Sequence, residues 1–261
     1  MMIRRLWWVA GMLALSGCLF KGKPKPPPPV ETVETTRLRA DSLWAAANDH
    51  FRHGRWSKAS KALDRALLIL DYADSRRSRG HFMMGEALFA QSNPLQAVRE
   101  FRRVADENAA DPLAPEALVR AGDAYADLWK RPELDPTYGE TAMTTYREVL
   151  ERYPGSPAAQ RASARILVLQ EKFAIKDYKT AMFYFRLKAY DSAILSLRSL
   201  VATYPRTQIV PEALVKLVET YARLEYVEDL KETCQYILRF FPDTYPRAQQ
   251  RSCPPPEAGG E

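Results

Sequence analysis

The sequence predicts an all-α protein in which about five helix hairpins stack into a superhelical solenoid. Three observations predict this fold. Apolar residues follow a helical period through nearly all of residues 37–247. A pattern of small and bulky residues recurs at a spacing in the thirties, and the last three copies of it end at an aromatic residue followed by proline. Since one hairpin cannot bury its apolar face alone, repeated copies predict stacked neighbours around a continuous core.

The pattern has a small residue in the first helix, another small residue in the second helix and bulky residues four and seven positions further on, a spacing typical of tetratricopeptide repeats (TPRs); the fifth copy keeps the spacing with bulkier residues at the crossing. The copies are predicted near residues 40–72, 78–110, 115–154, 157–205 and 209–245. A proline-containing loop at 131–136 interrupts the third copy, and an unusually long first helix opens the fourth. The residues that carry the spacing are Ala47, Ala59, Leu63 and Ala66; Gly85, Ala97, Phe101 and Val104; Gly122, Ala142, Tyr146 and Val149; Ala181, Ala193, Leu197 and Leu200; and Val218, Leu230, Cys234 and Ile237.

Residues 1–17 have the pattern of a secretory signal peptide, with two arginines followed by a short apolar run. The segment Leu15-Ser16-Gly17-Cys18 resembles a bacterial lipobox, which implies a diacylglycerol and an N-acyl chain on Cys18 and no other cofactor. An uncleaved anchor is the alternative, but the run is far shorter than the roughly 20 residues that a membrane span requires. Leu19 rather than Asp after the cysteine favours the outer membrane, by resemblance to enterobacterial sorting.

The ends of the chain account for its basic character. The net charge is +6, yet the first 30 residues hold five basic and no acidic residues, and beyond them 33 basic residues face 32 acidic ones. This balance argues against nucleic-acid binding, which needs a basic face. Residues 18–36 are proline-rich and predict an extended tether after the lipidated cysteine, while proline and glycine predict a disordered tail at 248–261.

The second half of the chain resembles a particular family of repeat proteins. The features that carry the resemblance are the loop at 131–136, the segment from Tyr146 to Ser156, the long helix with Tyr178 and Tyr184, and the segment from Tyr204 to Gln208. Together with the lipobox and the five repeats, they are similar to the BamD (ComL) family of lipoproteins in the β-barrel assembly (BAM) machinery. The first two repeats match only as general TPRs.

This resemblance implies a non-catalytic scaffold. Its C-terminal repeats would dock onto the periplasmic domains of BamA and onto other BAM lipoproteins, and its N-terminal repeats would receive unfolded outer-membrane protein precursors. The lipid anchor would be its contact with the membrane. The alternatives are a TPR lipoprotein adapter for pilus assembly or for Tol-Pal-like envelope and division machinery, and an envelope enzyme such as a peptidoglycan hydrolase. The sequence contains no phosphate loop, nucleophile elbow, zinc-protease helix or paired-carboxylate pattern, so no catalytic residue is assigned.

A peptide-binding groove is expected on the inner surface formed by the first helices of the first three repeats. Its aromatic side chains would stack against the aromatic residues that end many outer-membrane proteins, and Asn48, Arg52 and Arg120 would hold the terminal carboxylate through charge-assisted hydrogen bonds. The alternative is that the aromatic residues are core packing and the arginines are solvated. The candidate groove residues are Trp44, Asn48, Phe51, Arg52, Phe82, Glu86, Phe89, Arg120 and Asp123.

Histidines and cysteines give weaker indications. His50 and His53 have a spacing that can hold a metal ion, but no further ligand pattern completes a site, so no metal is expected. An oxidising periplasm permits a disulfide between Cys234 and Cys253. The favoured interpretation is nevertheless a buried free thiol at Cys234 and a second thiol in the tail.

Overall fold

The structure, a computed structural model, describes residues 32–255. The predicted signal peptide, Cys18 and nearly all of the predicted tether lie outside the described residues, as do residues 256–261. The described chain consists of helices and their connections. The α-helices are α1 (Val33–Arg52), α2 (Trp56–Ile69), α3 (Arg76–Ala90), α4 (Pro94–Glu107), α5 (Ala114–Leu128), α6 (Thr137–Arg152), α7 (Pro157–Arg186), α8 (Tyr190–Thr203), α9 (Val210–Leu224), α10 (Val227–Phe240) and α11 (Tyr245–Gln249).

The first ten helices form five successive hairpins, α1–α2 to α9–α10. Within the described chain, the most extensive contacts between helices join sequence neighbours, with an added contact between α5 and α7. This arrangement confirms the predicted all-α TPR-type solenoid. The long helix of the fourth repeat is α7, with 30 residues, and the loop before α6 contains the predicted prolines.

Capping residues set two helix starts. The Thr32 side chain accepts a hydrogen bond from the N–H of Thr35, so α1 begins at Val33, within the segment predicted as tether up to residue 36. The helix therefore starts earlier than expected. The Ser156 side chain accepts from the N–H of Ala159 and is followed by Pro157, the pairing of N-cap and first-turn proline that begins α7.

The small residues in the repeat pattern allow the two helices of a hairpin to approach closely. A Cβ atom added to Gly85 would lie 2.6 Å from the ring of Phe101. Gly122 faces Tyr146 in the same way in the third repeat. Phe101 and Tyr146 are almost completely buried, so the pattern read from the sequence corresponds to the core of each hairpin.

The C-terminal segment differs from the prediction in two respects. Cys234 on α10 forms a disulfide with Cys253, so the expectation of two free thiols is wrong. Residues 248–255 are also ordered rather than part of a disordered tail, because α11 turns the chain back onto α9 and α10. Ala248 is fully buried and accepts a hydrogen bond from the N–H of Cys253. The Tyr245 hydroxyl donates to the carbonyl of Pro254 at 2.8 Å.

Candidate peptide-binding surface

Eight of the nine predicted groove residues fall into two separate groups. Asn48, Phe51, Arg52 and Phe82 line one cavity of about 570 Å³ between α1 and α3. Its remaining walls come from two more residues of α3 and from the residue that precedes α5. The accessible lining is mainly apolar, as is usual for cavities that hold a side chain. The additional lining residues are Arg79, Met83 and Leu113.

Two unpaired guanidinium groups lie at this cavity. Arg52 and Arg79 are both exposed, and neither makes a hydrogen bond or ion pair within the part of the chain that the structure describes. Asn48 donates its side-chain N–H to the carbonyl of Trp44 at 2.8 Å, which holds the amide against its own helix. The cavity thus combines apolar walls with two cations that are free to bind an anion.

Arg79 is not among the groove residues predicted from the sequence, and it belongs to a basic run with Arg76 and Arg77. The three arginines of that run make different contacts. Arg76 pairs with Asp74 and Asp41, and Arg77 donates to two backbone carbonyls near the end of α2. Arg79 alone of these three faces the cavity. Its spacing from Phe82 and Met83, at i+3 and i+4 on one helix, is the sequence feature that indicates a shared face.

The second group of candidates forms an ion-pair cluster. The Arg120 guanidinium on α5 donates a hydrogen bond to each carboxylate oxygen of Glu86 on α3, at 2.5 and 2.8 Å. It also contacts Asp123 at 3.0 Å and lies 5.1 Å from the ring centre of Phe89. The hydrogen bond to Glu86 raises the pKa of Arg120, although burial opposes this. The structure therefore does not place Arg120 with Asn48 and Arg52, because its guanidinium is already paired in the cluster.

Asp123 extends this cluster to two further helices. It accepts a hydrogen bond from the hydroxyl of Tyr146 at 2.7 Å and pairs with Arg165 of α7 at 3.0 Å. Burial and the neighbouring carboxylate raise the pKa of Tyr146, so its hydroxyl stays protonated and donates. Glu86, Arg120, Asp123 and Arg165 form a polar connection across the second, third and fourth repeats.

Trp44 is the candidate that the structure assigns to packing. Its ring is partly buried against the cluster of Ala47, Leu63 and Met83, and it lies close to Gly80 of α3. Phe51 has both roles, because it lines the cavity and also makes an edge contact with Trp56 at 5.3 Å. Trp44 therefore packs against the core of the first two repeats.

The histidines are not brought together. His81 is buried on α3, where its Nδ1 lies 2.7 Å from a carboxylate oxygen of Glu100. Among residues 32–255, no cluster of histidine, cysteine and carboxylate side chains has the arrangement that a metal ion requires. None of the helices in that range is both long and apolar enough to cross a membrane.

The fold and its surfaces define a TPR-type helical-repeat protein. The family model of YfiO, described as an outer membrane lipoprotein, matches residues 37–237, and the chain belongs to this family. A Vibrio cholerae relative named outer membrane protein assembly factor BamD is 33% identical over 105 residues, which cover 40% of this chain and 44% of that protein. The resemblance to the BamD family is thereby confirmed.

Two more distant relatives align over longer ranges. The BamD of Caulobacter vibrioides is 24% identical over 84% of this chain and 69% of its own length. The BamD of Neisseria gonorrhoeae is 23% identical over 88% of each chain. Among solved structures, a tetratricopeptide repeat protein from Parabacteroides merdae has a TM-score of 0.37 and 13% identity, covering 82% of this chain and 72% of that one. That score is too low to support an inference.

Proposed function

We propose that the protein is a non-catalytic subunit of an outer-membrane β-barrel assembly complex that binds unfolded precursors at the cavity between α1 and α3. Membership of the YfiO family and the names of the relatives support the assembly role. The lipobox supports attachment through acyl chains on Cys18 to the periplasmic leaflet of the outer membrane. Several acyl chains give a lasting anchor, since one alone binds membranes only marginally.

The observation that carries the precursor-binding proposal is the pairing of an apolar cavity with two free cations. A chain ending in an aromatic residue offers a ring and a terminal carboxylate that are separated by only two carbon atoms, Cβ and Cα. The ring would insert between Phe51 and Phe82, where aromatic contacts are favourable. The carboxylate would then lie at the mouth, within reach of Arg52 and Arg79, and charge-assisted hydrogen bonds would fix it there.

Fluorescence anisotropy with a labelled ten-residue peptide ending in phenylalanine tests this site. The mature full chain is used, and the peptide is compared as a free acid and as a C-terminal amide. We expect the amide to bind about tenfold more weakly, because it lacks the charge that the arginines recognise. Arg52→Gln and Arg79→Gln are each expected to remove most of this difference.

Arg65→Gln on α2 is the matched control, because Arg65 is also an exposed arginine but does not line the cavity. It should leave both affinities unchanged. Equal binding of the acid and the amide by the wild-type chain would contradict carboxylate recognition. If Arg65→Gln weakened binding of the free acid as much as Arg52→Gln and Arg79→Gln do, the effect would come from net charge and not from a site.

Docking onto BamA is a separate part of the proposal and needs a separate test. The chain is tagged after its last residue, crosslinked in native outer membranes and captured, and its crosslinked residues are identified by mass spectrometry. Recovery of BamA crosslinked mainly to residues 157–245 would support docking through the C-terminal repeats. Recovery of pilus or division proteins without BamA would overturn the assembly role, and turnover of isolated cell wall would overturn the non-catalytic role.

Membrane attachment is tested by cell fractionation of Cys18→Ala. The variant is expected to leave the outer-membrane fraction, because the acyl chains have no thiol to join and signal-peptide processing at the lipobox fails. Incorporation of labelled palmitate into the wild-type chain provides the direct readout. Palmitate labelling that persists in Cys18→Ala would place the anchor elsewhere.

A further inference from the structure

A second apolar surface lies at the other end of the solenoid, between the fourth and fifth repeats. The second helices of these repeats, α8 and α10, form the walls of a groove, and α9 forms its floor. The groove has a volume of about 420 Å³, and most of its accessible lining is apolar. Its lining residues are Arg198, Val201, Ala202 and Pro205 on the α8 side, Leu214, Leu217 and Tyr221 on α9, and Asp229, Glu232, Thr233 and Tyr236 on α10.

The two walls run in the same direction. Arg198 of α8 pairs with Asp229 of α10 at 3.5 Å. The Tyr226 hydroxyl donates to Asp191 at 3.1 Å, and this pair lies nearer the start of both helices, so α8 and α10 run roughly parallel. On each wall the lining residues recur at i, i+3, i+4 and i+7, which is the spacing of one helical face.

Exposed apolar side chains extend the groove at both ends. Leu195 lies seven residues before Ala202 on α8 and is 72% exposed. Tyr226, which precedes α10, and Phe240, which ends it, each lie seven residues from Thr233 and are 43% and 55% exposed. The face from Tyr226 to Phe240 is therefore about 21 Å long, at 1.5 Å per residue. Exposed apolar residues at both ends of a groove with mainly apolar lining are typical of an interaction site.

Charge distinguishes the two walls. The α10 wall carries Asp229 and Glu232, and Glu232 has no ion pair within residues 32–255. The α8 wall carries Arg198, whose charge is offset by Asp229. An occupant with basic residues on the side that faces α10 would therefore be favoured.

The walls also determine the backbone conformation of the occupant. Both are α-helices, whose backbone N–H and C=O groups are already bonded within the helix. An extended strand would find no ladder of backbone partners there, whereas a helix satisfies its own backbone. Apolar residues at i, i+3, i+4 and i+7 of such a helix would pack into the groove, as in other helix-in-groove complexes.

We propose that this groove binds an amphipathic helix of a partner protein, three to four turns long, with its apolar stripe on α9 and basic residues beside α10. The groove lies within residues 157–245, so the proposal rests on the docking role of the C-terminal repeats proposed above and specifies the kind of segment they bind. It does not depend on precursor binding, because no residue of the cavity between α1 and α3 lines this groove.

The probe is a labelled 15-residue helical peptide with leucines on one face and lysines along one edge of that face. A second peptide has glutamate in place of each lysine, and a third has the lysine peptide's composition in scrambled order. Binding to the mature full chain is measured by fluorescence anisotropy without reductant. We expect the lysine peptide to bind at least tenfold more tightly than the scrambled one, because only its leucines form a continuous stripe.

Charge reversal in the groove supplies the specific test. Glu232→Lys is expected to weaken the lysine peptide about fivefold and to strengthen the glutamate peptide, since it replaces an attraction by a repulsion. Glu228→Lys makes the same charge change on α10, but Glu228 does not line the groove. It should leave both affinities within twofold. Phe240→Lys, at an exposed position, is expected to weaken both peptides.

Three outcomes would overturn the proposal: no saturable binding of the lysine peptide, equal binding of the lysine and glutamate peptides, or equal effects of Glu232→Lys and Glu228→Lys. Loss of binding in Arg79→Gln would overturn it as well, because the peptide would then occupy the cavity between α1 and α3. Circular dichroism of each variant confirms that the helices are intact.

Discussion

The disulfide between Cys234 and Cys253 should stabilise the last repeat more than the remainder of the solenoid. It joins α10 to the segment after α11 and closes a loop with a sequence separation of 19. The perturbation is the double substitution Cys234→Ala and Cys253→Ala, which removes the bond without leaving a buried hydroxyl or thiol. Each single substitution to alanine provides a comparison.

The loop length sets the size of the effect. A closed loop of 15 residues restricts the unfolded chain by about 3 kcal/mol, and the value rises only slowly with length, so about 3 kcal/mol is expected here as well. Each 1.4 kcal/mol corresponds to a factor of ten in an equilibrium constant. Opening of the last repeat should therefore become about a hundredfold more frequent without the bond.

Hydrogen–deuterium exchange resolves this effect along the chain, since helical repeats can unfold separately. The buried amides of α9 and α10 should exchange about a hundredfold faster in the double variant, while those of α1 to α4 should be unaffected. A reductant should produce the same change in the wild-type chain and none in the double variant.

The single substitutions test the cause. If the bond itself stabilises the repeat, each single variant loses as much protection as the double variant, because either one breaks the same bond. Unequal losses would indicate that packing of the individual side chains matters more. Two free thiols in unreduced protein, measured by alkylation and mass spectrometry, would refute the reasoning directly.

Two further predictions concern the helix crossings and the buried charges. Gly122→Ala should lower the free energy of unfolding by about 1–2 kcal/mol in a denaturant titration, because its new methyl group overlaps the Tyr146 ring; no loss would contradict the close crossing. Burial raises the pKa of Glu219, but the hydrogen bond from Lys216 and the charges of Arg251 and Arg223 outweigh it, so the pKa lies below its usual 4.5. The ionised form of Glu219 therefore stabilises the fold above about pH 4.5, and this stabilisation is lost as the pH falls through the lowered pKa. Glu219→Gln should accordingly lower the melting temperature at pH 7 by more than it does at pH 3. An equal decrease at both pH values would contradict this.

The sequence predicted the features of the fold that depend on local spacing. Gly85 and Phe101 are separated by 16 positions in one hairpin, and the same relation recurs in other repeats, so the repeat pattern alone identifies a close crossing. The family resemblance was likewise carried by contiguous segments. The repeat spacing and the segments that carry the resemblance can each be recognised within one or two helices.

The features that the sequence did not predict depend on which of several similar side chains meet in space. Arg79 and Arg120 are both arginines on first helices, yet only Arg120 has a carboxylate, Glu86, within reach. Glu86 and Arg120 are separated by 34 positions and lie on neighbouring repeats. The rotation of one repeat relative to the next therefore decides whether they pair. The disulfide was missed for a related reason, since α11 reverses the chain in a segment whose composition resembles a flexible tail.

The separation of the two proposed sites follows from the solenoid itself. Each repeat contacts mainly its neighbours, so binding at the first two repeats has no direct contact with the groove at the fourth and fifth. The cluster of Glu86, Arg120, Asp123 and Arg165 joins the repeats between them. None of the residues of this cluster lines either site. If both proposed sites bind partners, we expect the two binding free energies to be nearly independent.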